Sequence, residues 1–131
     1  MKKTVCLILT ALLLSACGQT TQPPEKEKEA VYMNITAKEA KEIMDTREGY
    51  IILDTRTQEE YDEGHIPGAI LIPHDEIPEK AESSLTDKDR LILVYCRSGR
   101  RSKLAAEALL KLGYTNIMEF GGIIDWPYET E

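Results

Sequence analysis

The sequence has 131 residues, with 16 Lys and Arg against 23 Asp and Glu, a formal net charge of −7 and a pI near 4.9. That balance excludes nucleic acid or an anionic lipid surface as a partner for the whole molecular surface. The length fits one compact domain with a core of its own rather than two.

Lys2 and Lys3 form a short positive start, and Thr4 to Leu14 follows as an apolar stretch. The stretch is shorter than the roughly 20 apolar residues of a permanent spanning helix. Its charge order is that of a secretory signal, which stands apart from the fold; a buried core helix is the alternative. Leu14-Ser15-Ala16-Cys17 resembles the lipobox of bacterial lipoproteins. The resemblance implies a signal peptide over residues 1–16, cleavage before Cys17, and a diacylglyceryl group on the Cys17 sulfur. Two acyl chains meet the requirement for stable attachment. The expected location is a bacterial cell envelope, lipid-anchored on the extracytoplasmic side of a membrane. Residues 17–30 would then hold the lipidated cysteine and a polar tether, because GQTTQPPEKEKEA has no apolar periodicity. Cys6 would leave with the signal and Cys17 would be acylated. Cys96 would remain as a single thiol with no intrachain disulfide partner, even in an oxidising compartment.

Residues 31–131 alternate short apolar runs with helical patterns. Val31 to Ile35 reads as a first short strand. Thr36-Ala37-Lys38-Glu39 reads as a capping box that opens a helix to about Asp45. Tyr50 to Asp54 is an apolar run of strand length. A second capping box, Thr57-Gln58-Glu59-Glu60, opens a short helix that Gly64 stops. Ala69 to Pro73 is a short strand, and residues 74–83 are helical. Leu91 to Tyr95, LILVY, is apolar on both faces, as a central strand of a covered parallel sheet should be. Arg101 to Leu112 carries a helical stripe of Leu104, Ala105, Ala108, Leu109 and Leu112, with Gly113 as the stop. Asn116 to Phe120 is a last strand, Gly121 and Gly122 turn the chain, and a short helix or turn closes it. The expected fold is α/β: a mostly parallel central sheet of about five strands flanked by helices on both faces. Ligands of such sheets bind beyond the carboxyl ends of strands, which is where Cys96 falls.

In this acidic chain, VYCRSGRRSK gathers Arg97, Arg100, Arg101 and Lys103 around one thiol. A strand-to-helix loop turns successive N–H groups toward its own centre, and the positive end of the helix dipole points there too. A thiolate at Cys96 would be stabilised by both, so its pKa should fall below the ordinary cysteine value. Gly99 permits the tight curl through a positive φ. Arg97, Ser98, Gly99, Arg100 and Arg101 form the candidate binding loop, with the arginines as a positive rim that gathers small anions. The alternative is a buried structural cysteine followed by a solvated basic helix start. Cations at a helix N-terminus oppose the dipole, however, and call for a local reason.

CRSGRRS resembles the active-site loop of rhodaneses, the sulfurtransferases, through Cys96, Gly99, Arg101 and Ser102. LDTRTQEEYDEGHIPGAILIP resembles an upstream segment of the same family through Asp54, Arg56, Glu60, Gly64, His65, Ile66, Pro67, Gly68, Ala69 and Pro73. LLKLGYTNIMEFGGIIDWPYE resembles its closing segment. Together the resemblance covers about residues 31–131, a rhodanese-like domain. It implies that Cys96 attacks the sulfane sulfur of a small anionic donor, thiosulfate or a persulfide, and becomes a persulfide held by the N–H groups of residues 97–101. A thiol, cyanide or protein-cysteine acceptor then removes the outer sulfur. The scheme is covalent and ping-pong, and neither metal nor organic cofactor is expected.

Phosphatases and arsenate reductases on this fold place arginine six positions after cysteine. Here that position is Ser102 and the arginine is Arg101, so the shorter loop suits one sulfur atom better than a tetrahedral oxyanion. Asp54 and Arg56 are read as loop-holding residues near the site. His65 is read as a structural hydrogen-bonding residue, because an ionised thiol needs no base. Ser102 completes the supporting set. His74 is given no role, and Trp126 and Tyr128 are read as core or pocket wall. Three functions are weighed: a membrane-tethered sulfurtransferase, a sulfur-relay module serving a protein partner, and a non-catalytic interaction domain. The intact cysteine loop disfavours the last.

Overall fold

The computed structural model describes Gly18 and residues 30–131. The signal peptide, Cys17 and most of the tether therefore lie outside the described residues. Both capping boxes form. The Thr36 hydroxyl accepts from the Glu39 N–H at 3.1 Å, and the Glu39 carboxylate accepts from the Thr36 N–H at 2.7 Å, opening α1 (Ala37–Thr46). Thr57 and Glu60 repeat the exchange at the start of α2 (Gln58–Glu63), which ends at Gly64 with φ of +147°.

The strands are β1 (Met33–Asn34), β2 (Ile51–Asp54), β3 (Ile70–Leu71), β4 (Ile92–Cys96) and β5 (Ile117–Gly122). They form one sheet in the order β1-β5-β4-β2-β3, with every pairing parallel. The first strand is shorter than its apolar run. Residues 74–83 divide into a 3₁₀ turn over His74–Glu76 and α3 (Ile77–Ser84). The last long helix, α4, runs Arg100–Lys111.

Strand periodicity divides the core into two layers. Leu53, Ile92, Val94 and Ile117 point to one face, where α3 and α4 cover them with Ile77, Ala81, Ala105, Ala106 and Leu109. Ile52, Leu93, Tyr95 and Phe120 point to the other, against Ala40 and Ile43 of α1, Ile66 and Trp126. Every residue of β4 is buried, so it occupies the doubly covered centre that its apolar run implied.

The expected turn at Gly121 and Gly122 is corrected: both residues finish β5. Register with β4 slips between Val94, opposite Glu119, and Cys96, opposite Gly122. The cysteine loop lies against Gly122 so closely that an added Cβ would come within 1.9 Å of the Arg97 carbonyl oxygen. Glycine is needed there for close approach rather than for a turn.

Candidate active site

Cys96 ends β4, and residues 97–99 lead directly into α4. Gly99 takes φ of +104° at the helix N-cap, a conformation open to glycine without penalty. The thiol is buried, with 1% of the residue exposed. Its Sγ accepts from the Gly99 N–H at 3.0 Å and lies 3.4 Å from the Ser102 hydroxyl oxygen. Burial pushes the Cys96 pKa up. Hydrogen bonds from the Ser102 hydroxyl and from the N–H groups of Ser102, Gly99 and Ser98 outweigh it, and the pKa lies below the ordinary 9.0.

Arg97, Ser98 and Arg100 are exposed around the mouth of the loop. Arg101 is not the free rim charge expected of it. Its two terminal nitrogens donate to Glu60 at 2.6 and 2.8 Å. The guanidinium holds the Glu60 carboxyl down at about 2. The loop's unpaired positive charge therefore rests on Arg97 and Arg100.

Asp54 and Arg56 sit together in the interior. The Arg56 guanidinium donates to both Asp54 oxygens, Nε to Oδ1 at 3.0 Å and Nη2 to Oδ2 at 2.7 Å, and also to the Gly64 carbonyl at 2.7 Å. The Tyr95 hydroxyl donates to Asp54 at 2.7 Å and accepts from the Ile66 N–H at 3.1 Å. This network ties the ends of β2 and β4 to the loop after α2. His65 stacks on Tyr61 with ring centroids 3.7 Å apart, and its Nδ1 lies 3.0 Å from the Tyr61 carbonyl oxygen. Its ring contacts are with the α2 helix and the chain's last residue, not with the thiol.

Sequence reasoning passed over Glu119. Its carboxylate, on a residue 2% exposed, lies 2.6 Å from the Ser102 hydroxyl oxygen and accepts from the Gly121 N–H at 2.8 Å. The signal was available: an acid in the middle of the apolar run IMEF has to have a partner once buried. A cavity of about 820 Å³ opens elsewhere, lined by Met44, Ile52, Ile66, Trp126 and Tyr128 among others, and none of its lining residues belongs to the cysteine loop. Among the described residues, no three His, Cys, Asp or Glu side chains converge as a metal site, and no helix is long and apolar enough to cross a membrane.

A five-stranded parallel α/β domain with a buried thiol, at the carboxyl end of its central strand, in a loop whose donors favour the thiolate defines a class of cysteine-loop proteins. The rhodanese-like domain family matches residues 36–127, and the chain belongs to it. The thiosulfate sulfurtransferase PspE of Escherichia coli is 40% identical over 73 residues, 56% of this chain and 70% of that protein. Bacillus subtilis YrkF, whose name designates it provisionally as a sulfur carrier, is 39% identical over 92 residues. That match covers 70% of this chain but only 49% of YrkF, so the chain spans about half the length of this relative. A solved E. coli rhodanese described as holding anions superposes with a TM-score of 0.59 at 35% identity, covering 63% of this chain and 96% of that one.

Proposed function

We propose that the protein is a sulfurtransferase that moves sulfane sulfur from thiosulfate or a persulfide donor, through a Cys96 persulfide, to a thiophilic acceptor. The observation that carries this reading is the buried Cys96 sulfur facing main-chain donors, with its pKa lowered by them. The thiolate attacks the outer sulfur of thiosulfate, the S–S bond of the donor breaks, and its electron pair leaves with sulfite. Cys96 then carries a persulfide whose outer sulfur bears the negative charge. The N–H groups of the loop supply fixed dipoles for that charge, and exposed Arg97 and Arg100 would draw anionic donors toward an otherwise acidic molecule. The acceptor attacks the outer sulfur, and the Cys96 sulfur leaves with the bonding pair.

Mass spectrometry of the full chain after thiosulfate treatment tests the reading: one added sulfur is expected on the Cys96 peptide, and Cys96→Ala should carry none and turn over no donor. Turnover by that variant would defeat the assignment. The names of relatives such as YrkF support a second reading, sulfur relay to a protein acceptor. Rapid discharge to a protein cysteine with poor thiosulfate turnover would favour it.

The N-terminal segment supports a further part of the proposal, a lipid anchor on Cys17. Wild type should partition into detergent, and Cys17→Ser should not be acylated. Equal partitioning of cleaved wild-type and variant proteins would remove the anchor from the reading.

A further inference from the structure

Three groups lie in a row behind the cysteine loop: the Cys96 Sγ, the Ser102 hydroxyl 3.4 Å from it, and the Glu119 carboxylate 2.6 Å beyond. All three residues are buried, at 1%, 0% and 2% exposure. None of the ion pairs among the described residues involves Glu119. A carboxylate taken out of water without a cation is costly, and a second negative charge on a neighbouring sulfur would add to that cost.

The Ser102 hydroxyl carries one hydrogen, and this constrains the row. When Glu119 is ionised, the short 2.6 Å contact is that of a hydroxyl donating to a carboxylate. Ser102 then has no hydrogen left for sulfur, and the Cys96 thiol donates to the hydroxyl oxygen. When Ser102 turns its hydrogen to an ionised sulfur instead, the 2.6 Å contact is kept as a hydrogen bond only with a hydrogen on the Glu119 carboxyl that donates to Ser102. The Gly99 and Gly121 carbonyls, 3.0 and 3.4 Å from the hydroxyl, are the other acceptors within reach. Each arrangement holds one negative charge, and they differ by the shift of one proton along the row.

We propose that Glu119, acting through Ser102, is the proton reservoir of Cys96, taking the thiol proton as the attacking thiolate forms and returning it when the sulfur leaves. The inference rests on the sulfurtransferase reading. In loading, the S–H bond breaks as a Ser102 O–H bond forms and the old one passes its proton to Glu119; the thiolate then bonds to the donor's outer sulfur, and the donor's S–S bond breaks with its electron pair leaving on sulfite. The site then holds a protonated Glu119 and a persulfide anion. In discharge, the acceptor anion takes the outer sulfur, the S–S bond breaks toward Cys96, and the proton returns through Ser102. Charge and protons balance at each half, with no external base. Glu119 is a positioning residue, since of the three groups in the row Cys96 alone meets the donor.

The other ionisable groups facing the row are few. Tyr32, ahead of β1, has its phenol pushed up by burial, by Glu107 of α4 and by Glu119 itself. Arg101 senses charge on Cys96 and Asp54 but is engaged by Glu60. Neither supplies a competing proton acceptor.

Difference infrared spectroscopy on the full chain, with ¹³C-labelled glutamate, tests the inference. Excess thiosulfate drives loading, and the Cys96 peptide is checked by mass for added sulfur. Loading should produce a protonated-carboxyl band that shifts with the label. The band should be lost in Glu119→Gln, which has no carboxyl there to protonate. Ser102→Ala, which keeps Glu119 but cuts the row, should lose it as well and serves if the first variant does not fold. A wild type that gains sulfur on Cys96 without the band, or variants that keep it, would overturn the reservoir and leave the sulfurtransferase reading standing. A wild type that gains no sulfur from thiosulfate or a persulfide donor would overturn the sulfurtransferase reading, and the reservoir with it.

Discussion

Arg101 reaches across the site from the first turn of α4 to place both terminal nitrogens on Glu60, the residue that also completes the cap of α2. One carboxylate thus holds a helix start and the loop arginine in a fixed relation, and its charge offsets that of the arginine beside the thiol.

Glu60→Gln should destabilise the protein by about 1 kcal/mol at neutral pH, the upper end for a partly exposed pair. The folded carboxyl titrates at about 2 against an ordinary 4.5. Its contribution is therefore complete above 4.5 and fades as pH falls from there toward 2. Denaturant titrations of wild type and variant should converge over that window. A constant difference down to the acid end would show that the pair's charge is not what stabilises.

Asp54→Ala leaves the Arg56 guanidinium buried without its carboxylate and removes the acceptor of the Tyr95 hydroxyl. Breaking a buried pair from one side costs about 3–5 kcal/mol. The chemical denaturation midpoint should fall accordingly. A loss below about 1 kcal/mol, on the scale of an exposed pair, would show that the network is not structural.

Gly122→Ala would drive a methyl group into the Arg97 carbonyl. Overpacking of this kind costs about 1–3 kcal/mol, and relief requires the cysteine loop to move off β5. Sulfur loading of Cys96 should fall more steeply than stability does. Full loading rates with an unchanged melting curve would show that the loop tolerates the shift.

The elements that were legible in the sequence share a physical character: their causes lie within a few residues. Thr36 and Glu39, or Thr57 and Glu60, satisfy each other's backbone three positions apart. LILVY needed no partner to announce a buried strand, and Gly99 announced its own curl. The placement of Cys96 at the end of the central strand followed from that pattern. The length of β1 did not, because two residues beside β5 are held by neighbours rather than by their own periodicity.

The amino-acid order alone was enough for a parallel α/β domain with one thiol in an amide-lined loop, since hydrogen bonding along a helix and burial along a strand are local. It did not reveal that Arg101 is bound to Glu60, 41 residues away, that Ser102 meets a buried Glu119, or that Gly122 spaces the loop. Those contacts depend on strand order and on the register slip between β4 and β5. They set which charges beside the thiol are free and which are already paired, because Coulombic and hydrogen-bonding partners are chosen by distance in space rather than along the chain.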